Sequence, residues 1–243
     1  MNTIFYFITL LLQDKIWLNH PLVAQSHNKL YTLMQAKKIG LLIPDTLVGN
    51  TAEGINDFLN LIQEDAITKP IADPYIFAKK NLIYKMFAEK VNAQHFKENP
   101  HSFGPSLFQK RIVRDHEIRT FYLEGEFFST AIRSDNKHID IKLSVSGGDS
   151  SSVNMMPYQL PIEIEKKLNI LMKQLNLNSG SIDIIKDVNG QHYFIEVNPV
   201  GQFLGYSFPC NYQLERRVAE WLIEKDTTYK VDLEKNQLIE ELY

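Results

Sequence analysis

Residues 179–203, SGSIDIIKDVNGQHYFIEVNPVGQF, restrict the fold of this 243-residue chain more than any other stretch. Asn189-Gly190 at its centre is a two-residue hairpin signal, because both residue types accept the positive φ of a type I′ turn. With those two as the loop, Val188 faces Gln191, and counting back along both strands brings Asp183 opposite Glu196. Alternation then puts Asp183, Ile185, Phe194, Glu196 and Asn198 on one face and Ile182, Ile184, Ile195 and Val197 on the other. The second set is a core face. The first carries two acids whose Cβ atoms stand about 5 Å apart, and at an effective dielectric of about 20 such carboxylates repel by roughly 3 kcal/mol. Something must offset that repulsion. A hard divalent cation such as magnesium does so through carboxylate oxygens, with Asn198 adding a neutral one; acids left in solvent, or neutralised by a lysine, are the alternatives.

The remainder of the chain supports a sizeable core. It is 44% hydrophobic and 23% charged, with a net charge of -3, which suits one large or two small domains and gives no basic footprint for nucleic acid. The single cysteine, Cys210, excludes an internal disulfide and points to a reducing, cytoplasmic compartment, where a buried structural thiol is expected. The run IFYFITLLL near the N-terminus has no basic residue before it and no small-x-small site after it, and it is too short to span a bilayer. It is expected as a buried strand or helix, or as the remnant of a longer N-terminal domain.

Periodicity predicts a helix over 27–39, capped by Ser26, facing inward with Leu30, Leu33 and Met34 and stopped by Gly40. Thr51 starts a second helix with Ile55, Phe58, Leu59 and Ile62 at helical spacing. AITKPI, NLIYKMFAEKV and SLFQKRIV are strand candidates, and EIRTFYLEGEFFSTAIR reads as a hairpin about Glu124-Gly125. SVSGGDSSSVN, residues 144–154, predicts a mobile loop. Pro161 opens a helix with Ile164, Leu168, Leu171, Met172 and Leu175 inside, and a last helix over 211–224 carries Leu214, Val218, Trp221 and Leu222. No internal repeat is present, so two α+β lobes with a cleft between them are expected.

SIDIIKDVNGQHYFIEVNPVGQF, taken with TKPI, FQKRI and EIRTFYLEGEFF, resembles the ATP-grasp ligases, and within them the graspetide synthetases of the microviridin and grasp-with-spasm type. The resemblance runs over 17–223 and implies an α+β ATP-grasp fold with the nucleotide between two lobes. It implies an N-terminal remnant and linker helix at 1–40, a smaller lobe at 41–108, a larger lobe with the metal hairpin at 109–226, and a charged tail at 227–243. Asp183, Glu196 and Asn198 match the family's magnesium ligands, and Lys29 and Lys69 match lysines that reach the ATP phosphates, a task suited to a point charge. Gln109, Lys110, Arg111 and Ile112 fall where the segment between the lobes contacts adenine, mainly through backbone groups. Glu117 matches the acid on the ribose hydroxyls, with Arg119 on the same strand face to hold it or a phosphate. The family's arginine two residues past an aspartate is replaced here by Lys142 after Asp140, and a second arginine by Asn154. Arginine grips an acyl phosphate in two-pronged fashion and lysine does not, so Lys142 takes that catalytic place as a weaker anchor. Gly147 and Gly148 are candidates for backbone phosphate contacts, and Asp140, Asp149 and His138 for a general base.

The implied activity is ATP-dependent ligation through an acyl phosphate, forming side-chain ester or amide macrocycles in a ribosomal precursor peptide with leader and core segments. The implied cofactors are ATP and Mg2+. No nucleic-acid or membrane partner is expected, and a homodimer is the oligomer to test for. An amino-acid ligase of the glutamate-adding type and a nucleotide-binding module without catalysis are the competing readings.

Overall fold

The structure is a computed structural model that describes residues 3–71, 76–79, 82–85, 88–91, 103–134 and 153–226. In chain order the elements are α1 (Thr3–Leu11), α2 (Pro21–Ser26), α3 (Lys29–Lys38), β1 (Thr46–Gly49), α4 (Ala52–Ile62), β2 (Ala66–Lys69), β3 (Ile76–Lys79), β4 (Leu82–Lys85) and β5 (Glu89–Lys90). They continue with β6 (Ser106–Lys110), β7 (Arg114–Leu123), β8 (Glu126–Ser134), β9 (Val153–Tyr158), α5 (Ile162–Gln174), β10 (Ser179–Asp187), β11 (His192–Asn198), α6 (Leu204–Ser207) and α7 (Leu214–Lys225).

Two larger sheets organise these elements. β1, β6, β2 and β5 form a four-stranded antiparallel sheet, and α4 lays Ile55, Phe58 and Ile62 against Ala66 and Phe108 on one of its faces. β11, β10, β7, β8 and β9 form a five-stranded antiparallel sheet, and β3 pairs with β4. One face of the five-stranded sheet presents Ile118, Tyr122, Ile182, Ile184, Phe194 and Val197 to Leu33 and Ala36 of α3 and to Leu168, Leu171 and Met172 of α5. Its opposite face is apolar at one end only, where Phe121 and Leu123 meet Leu214 and Trp221 of α7. The other end of that face carries polar side chains, and the candidate site lies there.

Local chemistry explains the helix ends. Thr51 caps α4 by accepting from Gly54 N. α3 is capped by Asn28, whose side chain accepts from Tyr31 N, while the expected cap Ser26 closes the separate α2. Gly40, at φ +84, ends α3, its own N–H bonding Lys37 O while Leu41 N bonds Ala36 O. Two residues expected inside face out: Met34 is 44% exposed because Leu33 and Ala36 set the buried stripe, and Leu222 is 47% exposed beside the buried Trp221. Pro161 is the N-cap of α5, one residue before its start.

The N-terminal run forms helix α1, but it is not buried as expected. Ile4, Phe7 and Leu11 are exposed, and the one buried residue is Thr9, whose Oγ1 donates to Phe5 O. Among the described residues no helix is long and apolar enough to cross a membrane. Val153 and Asn154, expected in a loop, begin β9, while 144–152 lies outside the described residues.

The β10–β11 hairpin differs from the two-residue turn expected for Asn189-Gly190. Asp187 N bonds Gln191 O, so the loop is the three residues 188–190, and only Gly190 has positive φ, at +84. The Asp187 side chain selects this loop: its Oδ1 accepts from both Asn189 N and Gln191 N. The register is then one residue off the expected one, pairing Lys186 with His192 and Ile184 with Phe194. A bulge between Asp183 and Ile184 takes up Ile195 as the extra residue and restores the pairing of Asp183 with Glu196. The bulge also reverses the expected placement of Phe194, which is 1% exposed in the core with Ile184, whereas Ile195 is half-buried.

Candidate functional site

Strand register builds a row of charge across the five-stranded sheet. Glu196 on β11 is opposite Asp183 on β10, Asp183 is opposite Arg119 on β7, and Arg119 is opposite Thr130 on β8. Helix α3 adds Lys29 at its first residue, with Nζ 2.9 Å from Glu196 Oε2. Arg119 Nη1 donates to Asp183 Oδ1, and its guanidinium carbon lies 5.6 Å from the centre of the Tyr206 ring. The order across the sheet is therefore cation, carboxylate, carboxylate, cation. The repulsion expected between the two acids is met by one internal cation on each side. A neutralising lysine, one of the alternatives to a metal, is thus present in Lys29.

Burial differs along the row. The Arg119 side chain is 8% exposed and that of Asp183 18%, while Lys29 and Glu196 are 25% and 22% exposed. A buried guanidinium has a large desolvation cost, so loss of Asp183 would leave Arg119 an uncompensated buried charge, and this is the costlier pair of the two to break. Arg119 was expected to hold Glu117 or a phosphate. Its partner is Asp183, and Glu117 is held instead by Arg114, with Nη1 2.5 Å from Oε1. The cause is register, because Glu117 faces Ile185, and of the two residues directly across from Arg119, Asp183 and Thr130, only Asp183 is an acid.

Asn198 flanks the row on one side and Glu117 on the other, through the pairs Ser181–Asn198 and Ile185–Glu117. Asn198 Oδ1 accepts from Val200 N, which orients the amide. Behind it the backbone is closely packed. A Cβ on Gly180 would lie 3.1 Å from Asn198 O, and Gly201, at φ +59, sits against Gly180. Asp183, Glu196 and Asn198 are hard oxygen donors on one face, a set that suits magnesium, which takes one or two carboxylates and completes its shell with water and phosphate oxygens. Among the described residues no group of three or more His, Cys, Asp and Glu side chains could hold a metal.

The other expected residues lie in the four-stranded sheet. Lys69 ends β2 opposite Leu107, and Lys110 ends β6 opposite Ala66. Gln109 is 1% exposed and donates to Thr46 Oγ1, Lys110 Nζ is 2.9 Å from Glu64, and Arg111 Nη1 is 3.1 Å from Asp65. These side chains are committed to the lobe itself, which leaves backbone groups for a ligand. Two of those are taken as well: Lys110 N donates to Asp45 O and Arg111 N to Asp65 O. Ile112 follows at the start of the segment leading to β7. Lys142 lies outside the described residues, as do His138, Asp140, Gly147, Gly148 and Asp149.

Sequence reading missed Asn19, Asn178 and His27. Asn19, 6% exposed with φ 60, donates from Nδ2 to Ser179 O and Pro199 O, and its Oδ1 accepts from Asn178 N and Ser179 N. Asn178 answers through Oδ1, accepting from Asn19 N, and through Nδ2, donating to Trp17 O. This network ties the segment before α2 to the start of β10 and to Pro199, directly after Asn198. His27, next to Lys29 and Glu196, has its pKa lowered by burial, against the raising effect of the Glu196 charge. Cys210 is buried, with Sγ 3.3 Å from Thr130 Oγ1.

No family model matches the sequence, and no curated protein matches it. Solved structures do. A RiPP-associated ATP-grasp ligase from Chryseobacterium gregarium, in complex with ADP and a leader and core peptide, superposes with a TM-score of 0.73 at 26% identity, over 83% of this chain and 60% of that one. The macrocyclase MdnC of Microcystis aeruginosa MRC, bound with precursor peptide MdnA, gives 0.75 at 26% identity over 92% and 72%. D-alanine–D-alanine ligase from Bacillus anthracis gives 0.53 at 16% identity over 86% and 69%, a likeness of fold alone. The chain has the ATP-grasp fold, as its resemblance implied, and spans 60% of the length of the Chryseobacterium ligase.

Proposed function

We propose that this chain is an ATP-dependent carboxylate ligase that closes side-chain ester or amide rings in a ribosomal precursor peptide. The observation that carries the reading is the in-register row Lys29–Glu196–Asp183–Arg119 on the polar end of a sheet face, in a fold shared with peptide-bound macrocyclases. We place the smaller lobe at 41–110 and the larger at 111–226, because β6 is continuous to Lys110.

In this reading Asp183, Glu196 and Asn198 hold magnesium, which supplies charge neutralisation at the ATP phosphate oxygens. Lys29 and Lys69 attract the phosphates as point charges, Glu117 receives the ribose hydroxyls while fixed by Arg114, and the backbone about Ile112 meets the adenine. A peptide carboxylate oxygen attacks the γ-phosphorus and ADP departs. A hydroxyl or amine of the same peptide then attacks the acyl carbon, phosphate departs, and the nucleophile's proton passes to solvent. Arg119 steadies the anionic acyl group through both steps, with Lys142 assigned the same charge role. A reducing cytoplasm, where ATP is abundant and Cys210 stays a thiol, is the proposed location.

The test is incubation with MgATP and peptides bearing Ser, Thr or Lys together with Asp or Glu. One ADP released and one water lost from the peptide mass per ring are expected. Addition of an amino acid would establish the glutamate-adding type of ligase instead. Raised melting temperature with MgADP but no ADP formation across the library would reduce the chain to a nucleotide-binding module.

A further inference from the structure

Arg119 is 7% exposed, and among the described residues its Nε has no hydrogen-bond partner. A guanidinium offers five N–H donors; among the described residues its one ion pair is to Asp183, and Nε is left unused. The Tyr206 ring lies over it, 5.6 Å from ring centre to guanidinium carbon. A ring stacked on a guanidinium restrains its plane without taking any in-plane N–H, whereas a carboxylate partner would occupy them.

Tyr206 is itself held firmly for a residue on a four-residue helix. Tyr206 N and Ser207 N both donate to Phe203 O, and the Phe203 ring lies 4.7 Å from that of Phe121. Ser207, 2% exposed, donates from Oγ to Glu215 Oε2 at 2.6 Å and accepts from Leu214 N at 2.8 Å. The backbone that carries Tyr206 is thereby tied to β7 through Phe203 and to α7 through Ser207.

We propose that Tyr206 is a positioning residue that holds the Arg119 guanidinium so that its unused Nε–H meets the anionic oxygens of the activated acyl group. The inference rests on the ligase reading and deepens it: it assigns the anion site to a residue pair, Arg119 and Tyr206, with an acyl phosphate as the ligand class.

The experiment is NMR of the full chain labelled with 15N-arginine, the Arg119 Nε–H signal being assigned by its loss in Arg119→Lys. Acetyl phosphate in the presence of MgADP is the probe. Wild type and Tyr206→Phe are expected to show a ring-shifted, slowly exchanging signal that moves on titration. In Tyr206→Leu the ring shift is lost and acetyl phosphate binds about tenfold more weakly, in line with a desolvated cation–π contact. Unchanged melting temperatures separate this local effect from unfolding. A Tyr206→Leu protein with wild-type signal and affinity overturns the inference and leaves the ligase reading standing. So does Tyr206→Phe behaving like Tyr206→Leu. If the ring shift depends on Tyr206 but acetyl phosphate moves the signal in no variant, the anion site at Arg119 falls and the ring–guanidinium restraint alone survives, while the ligase reading is decided separately by ADP release and loss of water from the peptide.

Discussion

Lys29 Nζ lies 2.9 Å from Glu196 Oε2, so the first residue of α3 neutralises one of the two carboxylates proposed to hold magnesium. Arg119 does the same for Asp183 from the opposite side. The chain supplies its own counter-charges, and a divalent ion entering alone competes with them. A nucleotide-borne ion brings phosphates that give both cations a new partner.

Lys29→Met should therefore act in opposite directions on the two ligands. Free Mn2+, a spectroscopic stand-in for magnesium, should bind about fivefold more tightly, because a partly buried ion pair of this kind is worth about 1 kcal/mol. MgATP should bind at least about tenfold more weakly through loss of a phosphate contact. Electron paramagnetic resonance titration of Mn2+ and calorimetry with MgATP measure the two. Parallel weakening of both would show that Lys29 does not compete with the metal.

Asp183→Asn removes the partner of a buried guanidinium. A loss of about 2–3 kcal/mol in unfolding free energy is expected, together with loss of Mn2+ binding. Glu196→Gln, with its more exposed partner, should cost under about 1 kcal/mol while also abolishing Mn2+ binding. Urea melts of the two variants decide this, and equal costs would refute the ranking by burial.

Asn19→Ala should destabilise the chain by about 2–4 kcal/mol, since it strands the Ser179 and Pro199 carbonyls and the Asn178 and Ser179 amides in a buried setting. Those groups lie at the start of β10 and directly after Asn198. Hydrogen exchange should speed up at Ser179 and Gly201 before it does so in α4, which packs on the other sheet.

Acid should weaken the fold through buried histidines, His116 and His192 as well as His27. Burial lowers the pKa of His116, against the raising effect of its hydrogen bond to Asp115, and His116 Nε2 has no hydrogen-bond partner among the described residues. His192 is lowered chiefly by burial and then by the charges of Lys186 and His116, with its Nε2 2.8 Å from Tyr158 Oη. Both folded-state values lie below the ordinary 6.5, so the unfolded chain takes up protons first as pH falls. Their contribution is full above 6.5 and is lost as pH drops through the window beneath it. The melting temperature should fall as pH drops below 6.5, and His192→Gln should flatten that slope. A slope unchanged in this variant would exclude His192 as a cause.

The residue types alone determined that a hairpin joins the strands of Asp183 and Glu196 through Asn189-Gly190, that Glu124-Gly125 turns β7 into β8, and that Thr51 and Gly40 bound helices. Each of these is settled within a few residues, by φ preference, side-chain alternation or a capping oxygen. Tertiary structure decided the rest. The route to the Asp183–Glu196 pair is a three-residue loop made by Asp187 and cancelled by a bulge at Ile195, two opposite shifts that alternation cannot see. The partner of Arg119, the seat of Lys29 on Glu196, the Asn19–Asn178 network and the Tyr206 ring all join positions dozens of residues apart. Charge and hydrogen-bond pairing act over a few ångströms in space, and only the packed sheet and helices bring those positions within that range.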